Sequence, residues 1–131
     1  MGIQTIVENY KNQYGDRVET RSPLTEFKNI PKVLWEFYAY SNGIQLPFGI
    51  IYTKNVALEK SQRSPFLSDW FVFGFDGYFT FWLCRFDPDL ESLSITTWDH
   101  ESGNIIEDAI WKNLEEFIVE IHEEWEEENP S

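Results

Sequence analysis

The order of periodic segments along this chain predicts an α+β fold: two helical stretches come first, then several strands, then one long helix, without the alternation of a parallel α/β fold. Three observations carry that expectation. Apolar residues at helical spacing mark both ends of the chain, aromatic and β-branched residues crowd the segment between them, and Asp76-Gly77 divides that segment as a hairpin turn would.

Taken in order, Ile3, Ile6, Val7, Tyr10 and Tyr14 form one apolar stripe of an amphipathic helix, which Gly15 ends. A polar stretch runs from Asp16 to Pro23. Ile30-Pro31 opens a second helical segment, because the N–H that proline lacks is unpaired in a first turn anyway. Val33, Leu34, Phe37 and Tyr38 make its inner face, and Asn42-Gly43 is expected as a left-handed C-terminal cap. A first strand is expected from Leu46 to Thr53, entered through Pro47 and Gly49, while Asn55 to Arg63 reads equally as helix or loop.

Trp70 to Phe75 and Tyr78 to Phe86 read as the arms of a hairpin closed by a tight Asp-Gly turn. The second arm is apolar on both faces, with Tyr78, Trp82, Cys84 and Phe86 on one and Phe79, Phe81 and Leu83 on the other. It is therefore expected to be an interior strand covered on both sides. A polar turn from Asp87 to Ser92, a strand from Leu93 to Trp98 and a loop from Asp99 to Asn104 follow. The last helix opens at Asn113 with Glu116 as capping partner, and Leu114, Phe117, Ile118, Ile121 and Trp125 make its inner stripe. Its outer face carries eight glutamates. Those at its C-terminal end oppose the helix dipole and repel one another, so residues 126–131 are expected to fray unless something basic covers them. With no repeat and no linker, residues 1–131 read as one domain.

A chain of 131 residues, 42% apolar and 18% aromatic, can bury an ordinary core and is not disordered. Cys84 is the sole cysteine, so no internal disulfide forms. The N-terminus has no leader pattern and no apolar run reaches bilayer length, so a cytoplasmic location is expected.

Charge is divided unevenly. Residues 1–85 hold nine Lys/Arg against eight Asp/Glu, whereas residues 86–131 hold one basic residue, Lys112, against fifteen acidic ones. A field of that sign repels phosphates and anionic headgroups, which argues against direct binding of nucleic acid or membrane and favours a basic protein partner. A surface charged only for solubility is the plain alternative.

The motifs that announce catalysis or cofactor binding are missing: no phosphate loop, dinucleotide-binding fingerprint, nucleophile elbow or paired-cysteine zinc pattern occurs. A non-enzyme without a cofactor is expected. His122 reads as a helix-border residue, His100 as a surface-turn residue, Cys84 as an inert core thiol and Asp76 as a turn residue. The enzymatic alternative is a carbohydrate hydrolase using two carboxylates among Asp69, Asp76, Asp87, Asp99 and Glu101, which border Trp70, Trp82 and Trp98.

Three segments together resemble the SUKH superfamily, in its Smi/Knr-type branch. These are Ile30-Pro31-Lys32-Val33-Leu34-Trp35-Glu36-Phe37 with Ser41-Asn42-Gly43; Phe73-Gly74-Phe75-Asp76-Gly77 with its aromatic strand to Phe86-Asp87; and Thr97-Trp98-Asp99-His100-Glu101-Ser102-Gly103 followed by Asn113-Leu114-Glu115-Glu116-Phe117-Ile118. Their order and spacing cover most of residues 25–120. The chain departs from the family pattern after Asp76-Gly77, where it carries Tyr78 and Phe79 in place of further small residues.

The resemblance implies a mixed or mainly antiparallel sheet of about five or six strands flanked by helices. It also implies an immunity protein that neutralises a cognate toxin, a nuclease in many cases, by direct stoichiometric binding; the fungal relatives imply the alternative of a regulatory scaffold with a non-toxin partner. On that reading Asp99, His100 and Glu101 match the family's loop and Asp76 and Asp87 stand at the hairpin ends. Trp98 is a candidate anchor, although a tryptophan on a strand also suits a core. Charge nominates Glu123, Glu124, Glu127 and Glu128 as a steering surface.

Overall fold

The computed structural model describes residues 2–63, 65–66, 69–86, 93–99, 101, 103, 106 and 108–129. The expected polar turn at 87–92 lies outside them. In chain order the elements are α1 (Ile3–Tyr14), β1 (Glu19–Thr20), α2 (Trp35–Tyr40), β2 (Ile44–Leu46), β3 (Gly49–Ile51), α3 (Lys54–Ser61), β4 (Trp70–Phe75), β5 (Thr80–Arg85), β6 (Ile95–Asp99) and α4 (Leu114–Glu128). Each strand pairs antiparallel with the next, giving a six-stranded meander, so the α+β class and the antiparallel sheet are as expected.

Alternation along β4 to β6 sends side chains into two apolar layers. On one face Phe71, Phe73, Trp82, Cys84 and Ile95 meet the stripes of α1, α2 and α4. On the other, Val72 and Leu83 pack with Phe66, Trp70 and Ala109, and the partly buried Phe81 and Trp98 join them. Strand β5 is interior and covered on both sides, as its two apolar faces imply.

A bulge adjusts the register: Val72 pairs with Leu83 but Gly74 with Trp82, leaving Phe73 as the extra residue. The Trp82 indole then lies across two glycines. A Cβ at Gly74 would stand 2.4 Å from its Cε3 and one at Gly49 2.3 Å from its Cη2, so no larger residue fits beneath the ring.

Four local expectations are corrected. The single strand from Leu46 to Thr53 is instead a hairpin, β2 and β3, turning at Pro47-Phe48, because Pro47 has no N–H to continue a ladder. The polar stretch from Asp16 to Pro23 contains β1, an edge strand of two residues without an apolar pattern. Asn42-Gly43 does not cap α2: the helix leaves in extended backbone at Ser41, while Gly43 (φ +95°) packs so close to Ile51 O and Thr53 N that a Cβ would be 3.0 Å from each. Asn42 Oδ1 accepts from Lys54 N–H at 2.9 Å, so the pair ties β2 to the start of α3.

The fourth correction concerns Asp76-Gly77. Gly77 has a positive φ (+91°) but Asp76 does not. The Asp76 carboxylate instead accepts the N–H groups of Tyr78, Phe79 and Thr80 at 2.8, 3.1 and 3.1 Å, which draws the chain into a longer loop and puts Tyr78 outside the strand. The undecided segment from Asn55 is helical: α3 packs beside β4 where β3 has ended, and Ser61 Oγ accepts the Val72 N–H at 2.8 Å that would otherwise be buried unpaired.

Candidate functional site

The C-terminal half of α4 and the sheet face opposite it enclose a cleft of about 380 Å³. Trp82, almost wholly buried, is its floor, with Thr80 and Thr97 beside it on the neighbouring strand positions. Trp111, Ile121 and Trp125 line it from α4 and the segment before it, and the Pro47-Phe48 turn closes one side. Asp76 and Tyr78 contribute from the β4–β5 loop and Glu124 and Glu128 from α4.

The helix repeat explains which glutamates reach the cleft. Glu124 and Glu128 follow Ile121 by three and seven residues, sharing its face with Trp125. Glu123 lies on the other flank of α4, where it lines a second groove with Ile6, Glu115, Glu116, Val119 and Glu120. Glu127 is exposed between the two. The acidic surface thus wraps α4, and one edge of it meets Asp76 across the aromatic cleft.

Ring packing fixes the cleft from behind. Phe117 sits edge-on to Trp82 (centroids 5.3 Å apart), Trp111 (4.9 Å) and Phe73 (5.7 Å). Trp111 Nε1–H donates to the Glu120 carboxylate, which holds its indole against α4. At the far end the α4 cap forms as expected, Asn113 Oδ1 accepting from Glu116 N–H at 2.9 Å. The last turn of α4 contains no basic residue, and Asn129 caps it through Nδ2 to Trp125 O at 3.0 Å.

No lysine or arginine lines the cleft, and among the described residues none forms an ion pair with Glu123, Glu124, Glu127 or Glu128. Partial burial, reinforced by Glu120, Glu128 and Glu127, pushes the Glu124 carboxyl above its ordinary value. The Arg17 guanidinium lies 5.5 Å from the Trp125 ring centroid. His122 is buried behind this ring among Tyr10, Tyr14 and Phe48, with the Tyr14 hydroxyl 2.7 Å from Nε2. It is packed more deeply than a helix-border position suggests.

The remaining predicted residues separate by strand alternation. Asp99 pairs with Thr80 and therefore shares the cleft's face of the sheet, at the end of β6. Its Oδ1 accepts from Glu101 N–H at 2.9 Å, and Glu101 is exposed. Trp98 points to the opposite face, edge-on to Phe66 (5.1 Å) and tilted on Phe81 (5.9 Å), with Nε1–H donating to Gly103 O at 3.1 Å. Asp87 and His100 lie outside the described residues. Trp82 does not share a face with Trp70 and Trp98.

Tyr78, Thr80, Thr97 and Trp111 are cleft residues that sequence reasoning did not nominate. Tyr78 had a signal, an aromatic where a hairpin loop turns; Trp111, in irregular chain before α4, had none. Among the described residues no three His, Cys, Asp or Glu side chains are placed to hold a metal ion, and no helix is long and apolar enough to cross a membrane. No family model, no curated protein and no solved structure matches this chain.

Proposed function

We propose that this chain is a protein-binding module of the SUKH immunity type, which neutralises a basic toxin by stoichiometric contact through the side formed by α4 and the strand ends facing it. The observation that carries this reading is the meeting of Asp76 with Glu124 and Glu128 at one aromatic-lined cleft that contains no cation. A nuclease that grips phosphates is itself basic, so an acidic surface can steer it into contact and occupy the place of its substrate. Tyr78 and Phe79, 77% and 55% exposed at the tip of the β4–β5 hairpin, supply the apolar contact that charge alone lacks. The helix-flanked antiparallel sheet is compatible with the family resemblance.

The test is protection and association kinetics against a basic nuclease toxin module, sought first in the neighbouring reading frame. Two charge reversals are compared with the parent: Glu124→Lys with Glu128→Lys, and Asp99→Lys with Glu101→Lys. Each is expected to slow association by about tenfold or more at low ionic strength, with an effect that shrinks as salt rises. Protection undiminished in both double variants would remove the acidic side from the mechanism.

A further inference from the structure

The cleft has a more particular chemistry than negative charge, and we propose that it receives an arginine side chain of the partner, the guanidinium lying against the cleft's aromatic rings and pairing with Glu124 and Glu128. This inference deepens the toxin-binding reading and rests on it for the source of the arginine.

Three observations select the occupant. First, the cleft sets Glu124 and Glu128 on α4 opposite Asp76 with aromatic rings between them, and no lysine or arginine is among its lining residues. Second, a guanidinium is the biological cation suited to both surfaces at once, since it is planar and weakly hydrated, stacks on aromatic faces and offers paired N–H donors to a carboxylate; an ammonium is a compact, strongly hydrated point charge. Third, the chain already makes cation–π contacts with itself, and its arginines lie closer (Arg17 over Trp125 at 5.5 Å, Arg85 over Trp70 at 4.8 Å) than its lysines (Lys11 over Tyr40 at 5.8 Å, Lys32 over Trp35 at 5.9 Å), while Tyr78, Trp82 and Trp111 of the cleft enter no such pair among the described residues. The fit in size is also reasonable, because about 380 Å³ admits one long side chain and not a folded element.

Asp76 has a different part. Its Oδ1 is engaged by three backbone N–H groups, so it adds charge at the mouth while holding Tyr78 in place. It is a positioning residue here, and Glu124 and Glu128 are the pairing ones.

The probe is a capped three-residue peptide, Gly-Arg-Gly, titrated at low salt while the indole N–H resonances of Trp82, Trp111 and Trp125 are followed by NMR. Peptides carrying lysine or the neutral isostere citrulline in place of arginine are the comparisons. The expected result is saturable shifts of the Trp111 and Trp125 indoles with arginine, weaker ones with lysine and none with citrulline. Glu124→Gln with Glu128→Gln is expected to weaken arginine binding by at least about tenfold, and Thr97→Trp, which fills the cleft without removing charge, to abolish it.

Citrulline binding as well as arginine, binding untouched by the double Gln variant, or arginine shifts confined to residues outside the cleft would each overturn the assignment, and so would the lack of any saturable shift. These outcomes are separable from failure of the functional reading. Arginine binding without toxin protection would leave the cleft assignment standing and end the immunity reading; toxin protection that survives filling the cleft would do the reverse.

Discussion

The two faces of the sheet carry similar aromatic weight, yet they are put to different ends. On the face toward α4, Trp82, Trp111, Phe117 and Trp125 leave a concavity edged by carboxylates. On the opposite face, Phe66, Phe81 and Trp98 pack on one another and on Trp70, Val72 and Leu83. The difference follows from what covers each face. On the cleft side the stiff helix α4 covers the strands, whereas on the other side Phe66, Ile106 and Ala109, which lie outside any helix or strand, pack directly against them. An aromatic residue is therefore a poor guide to a site until its face is known, and Trp82 and Trp98, paired with neighbouring positions of adjacent strands, show it.

The comparison can be broken most forcefully at Phe117, on which the cleft's packing converges. Phe117→Ala is expected to lower unfolding free energy by about 3–5 kcal/mol, the usual cost of truncating a fully buried phenylalanine. Urea unfolding monitored by tryptophan fluorescence measures it, and a loss below about 1 kcal/mol would mean that α4 does not depend on this ring.

A smaller effect is expected from Trp98→Ala on the opposite face, about 1–2 kcal/mol from two aromatic contacts and partial burial. Its value lies in what stays fixed. Association with the basic partner should match the parent, whereas Tyr78→Ala should weaken it; equal weakening by both would contradict the division of labour between the faces.

The least effect, and a directional one, concerns pH. Burial pushes the His122 imidazole below its ordinary 6.5, outweighing Glu126 and Glu123, which raise it. The fold holds histidine neutral while the unfolded chain takes up a proton below about 6.5, so the unfolded state binds more protons there and stability falls as pH drops through that window. Glu124, raised above its ordinary value, acts in the opposite sense at lower pH, because its cost to the fold is relieved on protonation. Relative to His122→Gln, the parent should lose stability between pH 7.5 and pH 5.5 in urea unfolding. A constant difference across that range would mean that the imidazole takes up its proton in the folded state as readily as in the unfolded chain.

Helix α1, the β4–β5 pair and the Asn113-capped α4 were legible because each rests on local periodicity or on a cap within three residues. The β2–β3 hairpin was not, since Pro47 and Gly49 looked like an entry into one strand and their meaning depends on Trp82 lying over Gly49. Strand β1 was invisible for a related reason: two polar residues become a strand only because Gln45 and Ile44 are there to pair with them.

The candidate site divides in the same way. Composition alone determined that the last third of the chain is acidic, and helical spacing alone determined that Glu124 and Glu128 share a face with Ile121 and Trp125. That Asp76, some fifty residues earlier in the chain, faces them across Trp82, that Glu123 turns toward α1, and that Trp98 points away were decided by the tertiary structure. Local rules fix which residues share a face of one element, but the partner of that face is set by register and by the angle at which a helix crosses a sheet, and both are properties of the whole packed chain.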